Sequence, residues 1–181
     1  MHNDEPMGDA ILIQPVPKCV AFDCFGTIFD MASMPREYVA EYVEHVRKKD
    51  FTPYRFPDVW WGLPAHPDAR KGVTAIQKRR IICVALSNGS HELIKSLSEK
   101  AGIWWDCIVD LAQHQVYKPH RAAYLTIYKD LGIRPEDTLM VTANPTFGDI
   151  EGAASVGMRS QVIRHGHPNN VIELAYMLGA K

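Results

Sequence analysis

The segment KCVAFDCFGTIFD at residues 18–30 constrains the fold more than any other part of the chain. Its apolar, partly β-branched run Cys19–Phe22 predicts a short buried strand. Asp23 follows directly, and Gly26 and Thr27 then permit a sharp reversal of the chain. Open α/β sheets place their active sites where buried strands end in this way. We therefore expect Asp23 to be a reactive carboxylate, although a carboxylate here could equally serve only to cap the turn.

Predicted strands and helices alternate along most of the remaining chain. Buried strands are predicted at 81–86, 104–109, 137–141 and 160–163. Helices are predicted at 67–79, 90–101, 120–131, 149–156 and 169–178. This alternation indicates an α/β fold with a Rossmann-like, doubly wound parallel sheet. The apolar stretch at 10–14 either adds an edge strand or simply packs against the sheet.

Residues 31–65 interrupt the alternation. Apolar residues at helical spacing begin after Pro35, whereas 50–67 contains four prolines and is predicted to lack regular structure. We interpret 31–65 as a small cap insertion over the mouth of the core. The α/β core then comprises 1–30 and 66–181.

The composition excludes several classes of partner. A net charge of −1 over 181 residues offers no general attraction to nucleic acid. No apolar run reaches the roughly 18 residues that a membrane span needs. The four cysteines lack CxxC spacing and the eight histidines lack HExxH spacing, so neither a disulfide framework nor a zinc site is predicted. The unpaired thiols and the lack of a signal-like N-terminus lead us to expect a cytoplasmic protein.

Three later stretches share the character of the first one. They are VALSNGS at 84–90, VYKPHRAAY at 116–124 and LMVTANPTFGDIEGA at 139–153. Together with FDCFGT, and in the same order, they resemble the four motifs of the haloacid dehalogenase (HAD) superfamily, and most closely those of its 2-haloacid dehalogenase branch. The resemblance runs from residue 18 to about residue 164. It implies a hydrolase acting on a small molecule, with a cap shorter than is usual in the family.

The resemblance assigns Asp23 the role of nucleophile. A carboxylate that attacks carbon forms an ester that water can later cleave. Most phosphatases of the superfamily carry a second aspartate two residues further on, which is Phe25 here. Phe25 cannot protonate a leaving alkoxide, but a leaving halide needs no proton. Dehalogenases of the family usually have tyrosine at this position, so Phe25 is a near match that would contact the substrate, as would the neighbouring Thr27.

Ser87 and Asn88 follow the second strand of the core and precede a helix. A hydroxyl, an amide and exposed backbone N–H groups at such a junction favour binding of an anion, either the carboxylate of a 2-haloacid or a phosphoryl group. Ser87 or Ser90 could instead only cap the helix.

Lys118 and Tyr124 match the K-P-x-x-x-x-Y pattern of the family, in which both residues line the site. Lys118 precedes Pro119, so its backbone is predicted to be extended. A lysine within about 4–6 Å of Asp23 would lower the pKa of that carboxylate by roughly 1–3 units and keep it ionised. A surface lysine is the alternative.

Thr142, Asn144 and Asp149 follow the fourth strand, and by resemblance Asp149 assists hydrolysis of the ester. The five-residue spacing from Asn144 to Asp149 is nearer to that of the phosphatase members, which bind magnesium. A magnesium site built from Asp23, the carbonyl of Phe25 and Asp149 therefore stays open. Asp149 could also cap the helix that it begins.

Arg36 is the candidate from the cap. The run REYVAEY at 36–42 resembles a helix of the branch whose arginine lies over the nucleophile and receives the halide or the substrate carboxylate. Here the arginine comes 13 residues after Asp23, and a surface position is equally compatible with the sequence.

The function predicted from these observations is that of an (S)-2-haloacid dehalogenase, which needs no cofactor and turns short 2-haloalkanoic acids into 2-hydroxy acids. A magnesium-dependent phosphatase is the first alternative. The second is a catalytically weak binding or assembly protein, with Trp60, Trp61, Trp104 and Trp105 as a partner surface if they are exposed. A homodimer is expected because dimers are common in the branch.

Overall fold

A computed structural model describes residues 12–166 and 170–180. Its centre is a sheet of five parallel strands in the order β3-β2-β1-β4-β5. The strands are β1 (Cys19–Phe22), β2 (Ile82–Ser87), β3 (Cys107–Asp110), β4 (Thr138–Thr142) and β5 (Arg159–Val162). The predicted fold class is therefore confirmed. The chain leaves the central strand β1 in one direction along the sheet and returns in the other, so the carboxyl end of β1 is the switch point where such sheets bind ligands.

Helices cover both faces of the sheet. They are α1 (Arg36–Arg47), α2 (Asp58–Trp61), α3 (Ala69–Lys78), α4 (His91–Ala101), α5 (Arg121–Tyr124), α6 (Thr126–Leu131), α7 (Asp149–Ala154) and α8 (Val171–Met177). Side chains of β1 alternate between the two layers: Val20 and Phe22 pack with α3, α4 and α8, whereas Cys19 and Ala21 pack with α5, α6 and α7. Both layers are apolar, which explains why the three central strands β1, β2 and β4 are mainly hydrophobic, whereas the edge strands β3 and β5 are only partly buried.

Three local expectations differ from the structure. β3 begins at Cys107 rather than at residue 104, because the Asp106 carboxylate accepts a hydrogen bond from the backbone of Cys83 (2.8 Å) and ends the preceding loop. The helix predicted at 120–131 is divided at Leu125. The proline-rich segment 50–67 contains the short helix α2, which begins directly after Pro57. The fixed φ of proline suits the start of a helix. The prediction had counted the prolines only as evidence against regular structure.

The N-terminal stretch 10–14 was predicted either to add an edge strand or only to pack. Residues 10 and 11, like residue 169 of the last predicted helix, lie outside the described residues. The rest of the stretch, Leu12–Gln14, forms no strand, and the N–H of Ile13 donates to the carbonyl of Met177 (2.8 Å). The stretch packs against α8 instead of extending the sheet.

The segment 31–65 lies over the carboxyl end of the sheet and is held there by aromatic side chains. Phe25, Tyr42, Tyr54, Phe56 and Trp60 form one group of rings, which we call the aromatic cluster; its ring centroids lie 4.8–6.5 Å apart. Pairs at such separations stabilise by about 0.5–1.5 kcal/mol beyond the area that they bury. The cluster ties α1 and α2 to the turn that follows Asp23.

The four tryptophans do not form a common surface. Trp60 is buried in the aromatic cluster, and the indole N–H groups of Trp61 and Trp105 donate to the Phe56 carbonyl (3.2 Å) and the Ser98 hydroxyl (2.8 Å). Trp104 alone of the four is largely exposed, at 68%. No helix among residues 12–166 and 170–180 has both the length and the apolar character that crossing a bilayer requires.

Candidate active site

Asp23 is fixed at the carboxyl end of the central strand. Its N–H donates to the carbonyl of Val141 on β4 (2.9 Å), which continues the sheet pattern by one residue. The Thr27 hydroxyl donates to Asp23 Oδ2 (3.0 Å) and accepts a hydrogen bond from the N–H of Ala143 (2.9 Å). Thr27 thereby joins the turns after β1 and β4 and orients the carboxylate, whose side chain is 14% exposed.

Lys118 lies between two carboxylates. Its Nζ is 2.9 Å from Asp23 Oδ1 and 3.1 Å from Asp149 Oδ1. The lysine side chain is only 6% exposed, and that of Asp149 is as deeply buried. One buried ammonium group therefore makes ion pairs with two carboxylates that are 126 positions apart in the sequence.

Asp149 is held from its other side by Tyr124. Tyr124 is the last residue of the short helix α5, and its hydroxyl donates to Asp149 Oδ1 (2.9 Å). Gly152 in α7 makes this approach possible, because a Cβ at that position would overlap the Tyr124 ring. The motif DIEGA thus supplies both the carboxylate and the space for its partner.

The charges of these residues shift one another's pKa values. Burial raises the pKa of Asp23; the Lys118 ammonium opposes that rise and Asp149 adds to it, so the pKa lies above the ordinary value. The expectation that Lys118 would leave Asp23 with a lowered pKa is wrong in its net direction, because burial outweighs the ammonium. Burial lowers the pKa of Lys118, but Asp23 and Asp149 more than compensate and raise it, which keeps the lysine protonated. Burial and Asp149 together raise the pKa of Tyr124, which stays a donor.

Asn88 binds the chain segment that carries Lys118. Its side-chain amide donates to the carbonyl of Lys118 (3.0 Å) and accepts from the N–H of Lys118 (2.8 Å). The Ser87 hydroxyl accepts a hydrogen bond from the N–H of Gly89 (3.1 Å), and Ser90, not Ser87, caps α4. The structure therefore brings both Ser87 and Asn88 to the site, with Asn88 positioning Lys118 through its backbone.

Asn144 fixes the turn that follows Asp23. Its amide donates to the carbonyl of Phe25 (3.0 Å), and its N–H donates to the hydroxyl of Thr142 (3.0 Å), which is fully buried. Gly26 adopts φ +78°, and a Cβ there would lie 2.5 Å from the Asn144 amide nitrogen. The close approach of Asn144 therefore depends on glycine at position 26.

The candidate magnesium ligands already have protein partners. Asp23 and Asp149 each accept hydrogen bonds at both carboxylate oxygens, and the Phe25 carbonyl accepts one from Asn144. The positive charge between the two acids is supplied by Lys118. No three His, Cys, Asp or Glu side chains within the described ranges converge as metal ligands. A magnesium ion would have to compete with these hydrogen bonds for the same oxygen atoms.

Phe25 directs an apolar ring, not an acid, into the region beside Asp23. Its ring packs against Trp60 (5.0 Å between centroids) and edge-on against Tyr42 (6.1 Å, 85°). Gly89 lets the ring lie against the start of α4, because a Cβ there would be 2.8 Å from it. This side of Asp23 is therefore apolar.

Tyr42 is a site residue that the sequence did not reveal. The residue is 7% exposed and lines the cavity beside Asp23, yet its hydroxyl has no hydrogen-bond partner among the described residues. A buried hydroxyl without a partner is costly, and a hydrogen bond to a molecule in the cavity would offset that cost. Helical spacing alone had marked Tyr42 only as one of several apolar positions of α1.

A cavity of about 770 Å³ opens onto Asp23. Its lining includes Phe25, Ser87, Asn88, Lys118, Asn144 and Asp149. Arg36 lies in the first turn of α1, is exposed and does not line this cavity, so the structure does not bring it to the other candidates. Among the arginines in the described part of the chain, the one lining the cavity is Arg47, at the far end of α1.

Comparisons with known proteins place this arrangement in a family context. A model of the haloacid dehalogenase-like hydrolases matches residues 36–157. The chain is 26% identical to the (S)-2-haloacid dehalogenase of Xanthobacter autotrophicus over an alignment of 188 positions, which covers 77% of this chain and 72% of that protein. It is 30% identical to haloacetate dehalogenase H-2 of Moraxella sp. (strain B) over 105 positions, covering 57% of this chain and 46% of that protein.

Solved structures show the same fold. The crystal structure of an L-2-haloacid dehalogenase superposes with a TM-score of 0.73 at 18% identity, covering 90% of this chain and 98% of that one. The L-2-haloacid dehalogenase of Xanthobacter autotrophicus with chloropropionic acid covalently bound gives a TM-score of 0.67 at 20% identity, covering 81% and 77%.

Proposed function

Because the chain belongs to the haloacid dehalogenase-like hydrolases, we propose that it is an (S)-2-haloacid dehalogenase that uses Asp23 as a nucleophile and needs no metal. The observation that carries the proposal is the surroundings of Asp23. A carboxylate paired with a buried lysine faces an apolar pocket in which Phe25 stands where an acid would be needed to protonate an alkoxide. Both relatives whose sequences align with this chain are dehalogenases by name.

The first step is attack of an Asp23 carboxylate oxygen on C2 of the substrate. A C–O bond forms as the C–halogen bond breaks, the bonding pair leaves with the halide, and C2 is inverted. No proton is transferred in this step. Lys118 and Thr27 each hold one oxygen of the carboxylate, so its plane is fixed before the substrate arrives.

The leaving halide needs a hydrogen-bond donor in a region that is otherwise apolar. Tyr42 lines the cavity beside Asp23, and its buried hydroxyl has no partner among the described residues, so we assign it this role. Burial raises the pKa of Tyr42 well above the ordinary value, so the phenol keeps its proton. The assignment replaces Arg36, which is exposed in the structure.

The second step is hydrolysis of the ester. Asp149 lines the cavity and is oriented by Lys118 and Tyr124, which makes it the base that takes a proton from the attacking water. Attack at the carboxyl carbon of Asp23 breaks the acyl C–O bond, so the substrate carbon keeps the oxygen that Asp23 first donated. Asp149 then returns this proton to the departing alkoxide oxygen, and the Asp23 carboxyl group releases its own proton to water. The products are a 2-hydroxy acid and a regenerated carboxylate.

The substrate carboxylate is assigned to the junction between β2 and α4. Ser87 lies there at the end of β2, and the positive end of the dipole of α4, an eleven-residue helix, faces the same place. The Asn88 amide fixes the backbone of Lys118. Asn88 therefore supports anion binding by positioning Lys118 more than by contacting the anion itself.

The experiment is halide release from (S)- and (R)-2-chloropropionate by wild type and by Asp23→Asn, each with magnesium or with EDTA. The proposal predicts halide from wild type with the (S) substrate alone, at the same rate in EDTA, and none from Asp23→Asn. Phosphate release from p-nitrophenyl phosphate that EDTA abolishes, without halide release from either enantiomer, would overturn it in favour of a phosphatase.

A further inference from the structure

The cavity continues well past the reacting groups. From Asp23 it extends along one face of α1, where Val39, Val43 and Val46 line it at helical spacing. Seven residues of helix span about 10 Å, which is several carbon–carbon bonds of about 1.5 Å each. The dehalogenation steps derived above use none of these three valines. We call this part of the cavity the valine arm.

A second wall of the valine arm is also apolar, and it is joined to the segment that carries Lys118. Phe51 and Tyr117 line it, with ring centroids 5.1 Å apart. The Tyr117 hydroxyl donates to the carbonyl of Asp50 (3.0 Å), which ties residues 50–51 to the segment that carries Lys118.

The size of the cavity exceeds what a three-carbon acid needs. Cavities of roughly 300–1,000 Å³ enclose ligands of drug size, and this one measures about 770 Å³. With chloropropionate at Asp23, the apolar surface of the valine arm would stay in water. A substituent on C2 that is long and apolar would cover it.

We propose that the physiological substrates are 2-haloacids with a long apolar substituent on C2, either an alkyl chain of roughly four to six carbons or an aryl group. The inference rests on the proposed dehalogenase function. A second copy of this chain is the competing occupant, but a neighbouring molecule seated in the valine arm would close the route to Asp23. Continuity between the arm and the nucleophile favours the substrate.

The first test is kcat/KM for halide release across 2-bromopropionate, 2-bromobutanoate, 2-bromohexanoate and 2-bromooctanoate. Each added methylene that enters the arm should raise kcat/KM by about two- to fourfold. In Val43→Gln the ratio of kcat/KM for 2-bromooctanoate to that for 2-bromopropionate should fall at least about tenfold. Val59→Gln is the matched control, since Val59 is as exposed as Val43 (37% against 36%) and does not line the cavity; its ratio should equal that of wild type.

The second test separates this inference from the proposed function. Binding of 2-hydroxypropionate and 2-hydroxyoctanoate to Asp23→Asn can be measured by calorimetry and requires no turnover. The longer acid should bind more tightly, and adding Val43→Gln should remove this difference in affinity. Halide release with flat or falling chain-length dependence would overturn the valine-arm proposal and leave the dehalogenase standing. Length-dependent binding without any halide release would overturn the dehalogenase function, and with it the 2-haloacid substrates, while leaving the valine arm as an apolar binding site. A dimer that Val43→Gln dissociates would show that a second copy covers this face, which also overturns the proposal.

Discussion

Lys118 Nζ makes ion pairs with Asp23 (2.9 Å) and Asp149 (3.1 Å) at the same time, and all three side chains are largely buried. The lysine therefore couples the proposed nucleophile of the first step to the proposed base of the second. Removing its charge would leave two carboxylates facing each other in a poorly hydrated site.

We predict that Lys118→Met loses both activity and stability. Breaking a buried ion pair on one side costs about 3–5 kcal/mol in the free energy of unfolding, and loss of the oriented carboxylate should lower kcat/KM by about 10²–10³-fold. Urea unfolding and halide release measure the two effects. Lys95→Met, at an exposed position of α4, should change neither; an active and stable Lys118→Met protein would contradict the assigned role.

We predict that Asp23→Asn is more stable than wild type at neutral pH. The pKa of Asp23 is raised in the folded state, so between pH 4, near its unfolded value, and that raised pKa the folded state holds a proton that the unfolded state releases. Ionised Asp23 thus destabilises the fold increasingly as pH rises, and asparagine removes this cost. The gain in Tm should be largest at about pH 8 and vanish near pH 4.

The control for this pH dependence is Asp137→Asn. The hydrogen bond with Lys18 lowers the pKa of Asp137, so the ionised carboxylate stabilises the fold instead of destabilising it. Asp137→Asn should therefore reduce Tm slightly at neutral pH and not in acid. Thermal unfolding at several pH values compares the three proteins. A lower Tm for Asp23→Asn at pH 8 would show that the carboxylate is stabilised by its surroundings, against the raised pKa.

We predict that Tyr42→Phe impairs catalysis without destabilising the protein. A hydrogen bond to a charged group contributes about 1.5–3 kcal/mol, so kcat/KM for halide release should fall by about 10–100-fold. Unfolding should be unaffected or slightly harder, because a buried hydroxyl without a partner is removed. Tyr54→Phe makes the same change within the aromatic cluster at a residue that does not line the cavity, and it should keep full activity. Equal losses in both variants would show that Tyr42 acts only through packing.

We predict that Gly152→Ala displaces Tyr124 from Asp149. Alanine favours a helix over glycine by about 1 kcal/mol, but the added Cβ would overlap the Tyr124 ring, and overpacking costs about 1–3 kcal/mol. The net result should be a slower second step, visible as ester accumulation in rapid-quench experiments. In Gly62→Ala the new Cβ meets only the Val59 carbonyl at an ordinary 3.7 Å, so that variant should behave as wild type.

Much of the fold followed from hydrophobic pattern because the strands are buried on both faces. Cys19–Phe22 and the strand before Ser87 lie within a residue of their predicted positions. Residues that act through non-local contacts were not predictable in the same way. The position of Asn88 after a strand predicted an anion site, but its side chain binds the backbone of Lys118, 30 positions away. Arg36 matched a family motif, yet the short cap leaves it exposed at the start of α1.

The pKa of Asp23 illustrates why charge pairs are difficult to assess from sequence. Lys118 was expected near Asp23 and does contact it, but the depth of burial and the second carboxylate decide the direction of the shift. Both depend on the packed structure. Likewise, nothing in the spacing of α1 distinguished Tyr42 from the valines beside it, because only the packed structure shows a buried hydroxyl without a partner at a residue that lines the cavity.

The most direct test of Asp23 as a nucleophile follows one oxygen atom. Enzyme in excess over (S)-2-chloropropionate completes a single turnover in water enriched in oxygen-18, and mass spectrometry then examines the product and the peptide that contains Asp23. An ester mechanism predicts the heavy oxygen in the Asp23 carboxylate and unlabelled 2-hydroxypropionate. Heavy oxygen in the hydroxyl of the product, with none in Asp23, would mean that water attacks C2 directly and would contradict the account.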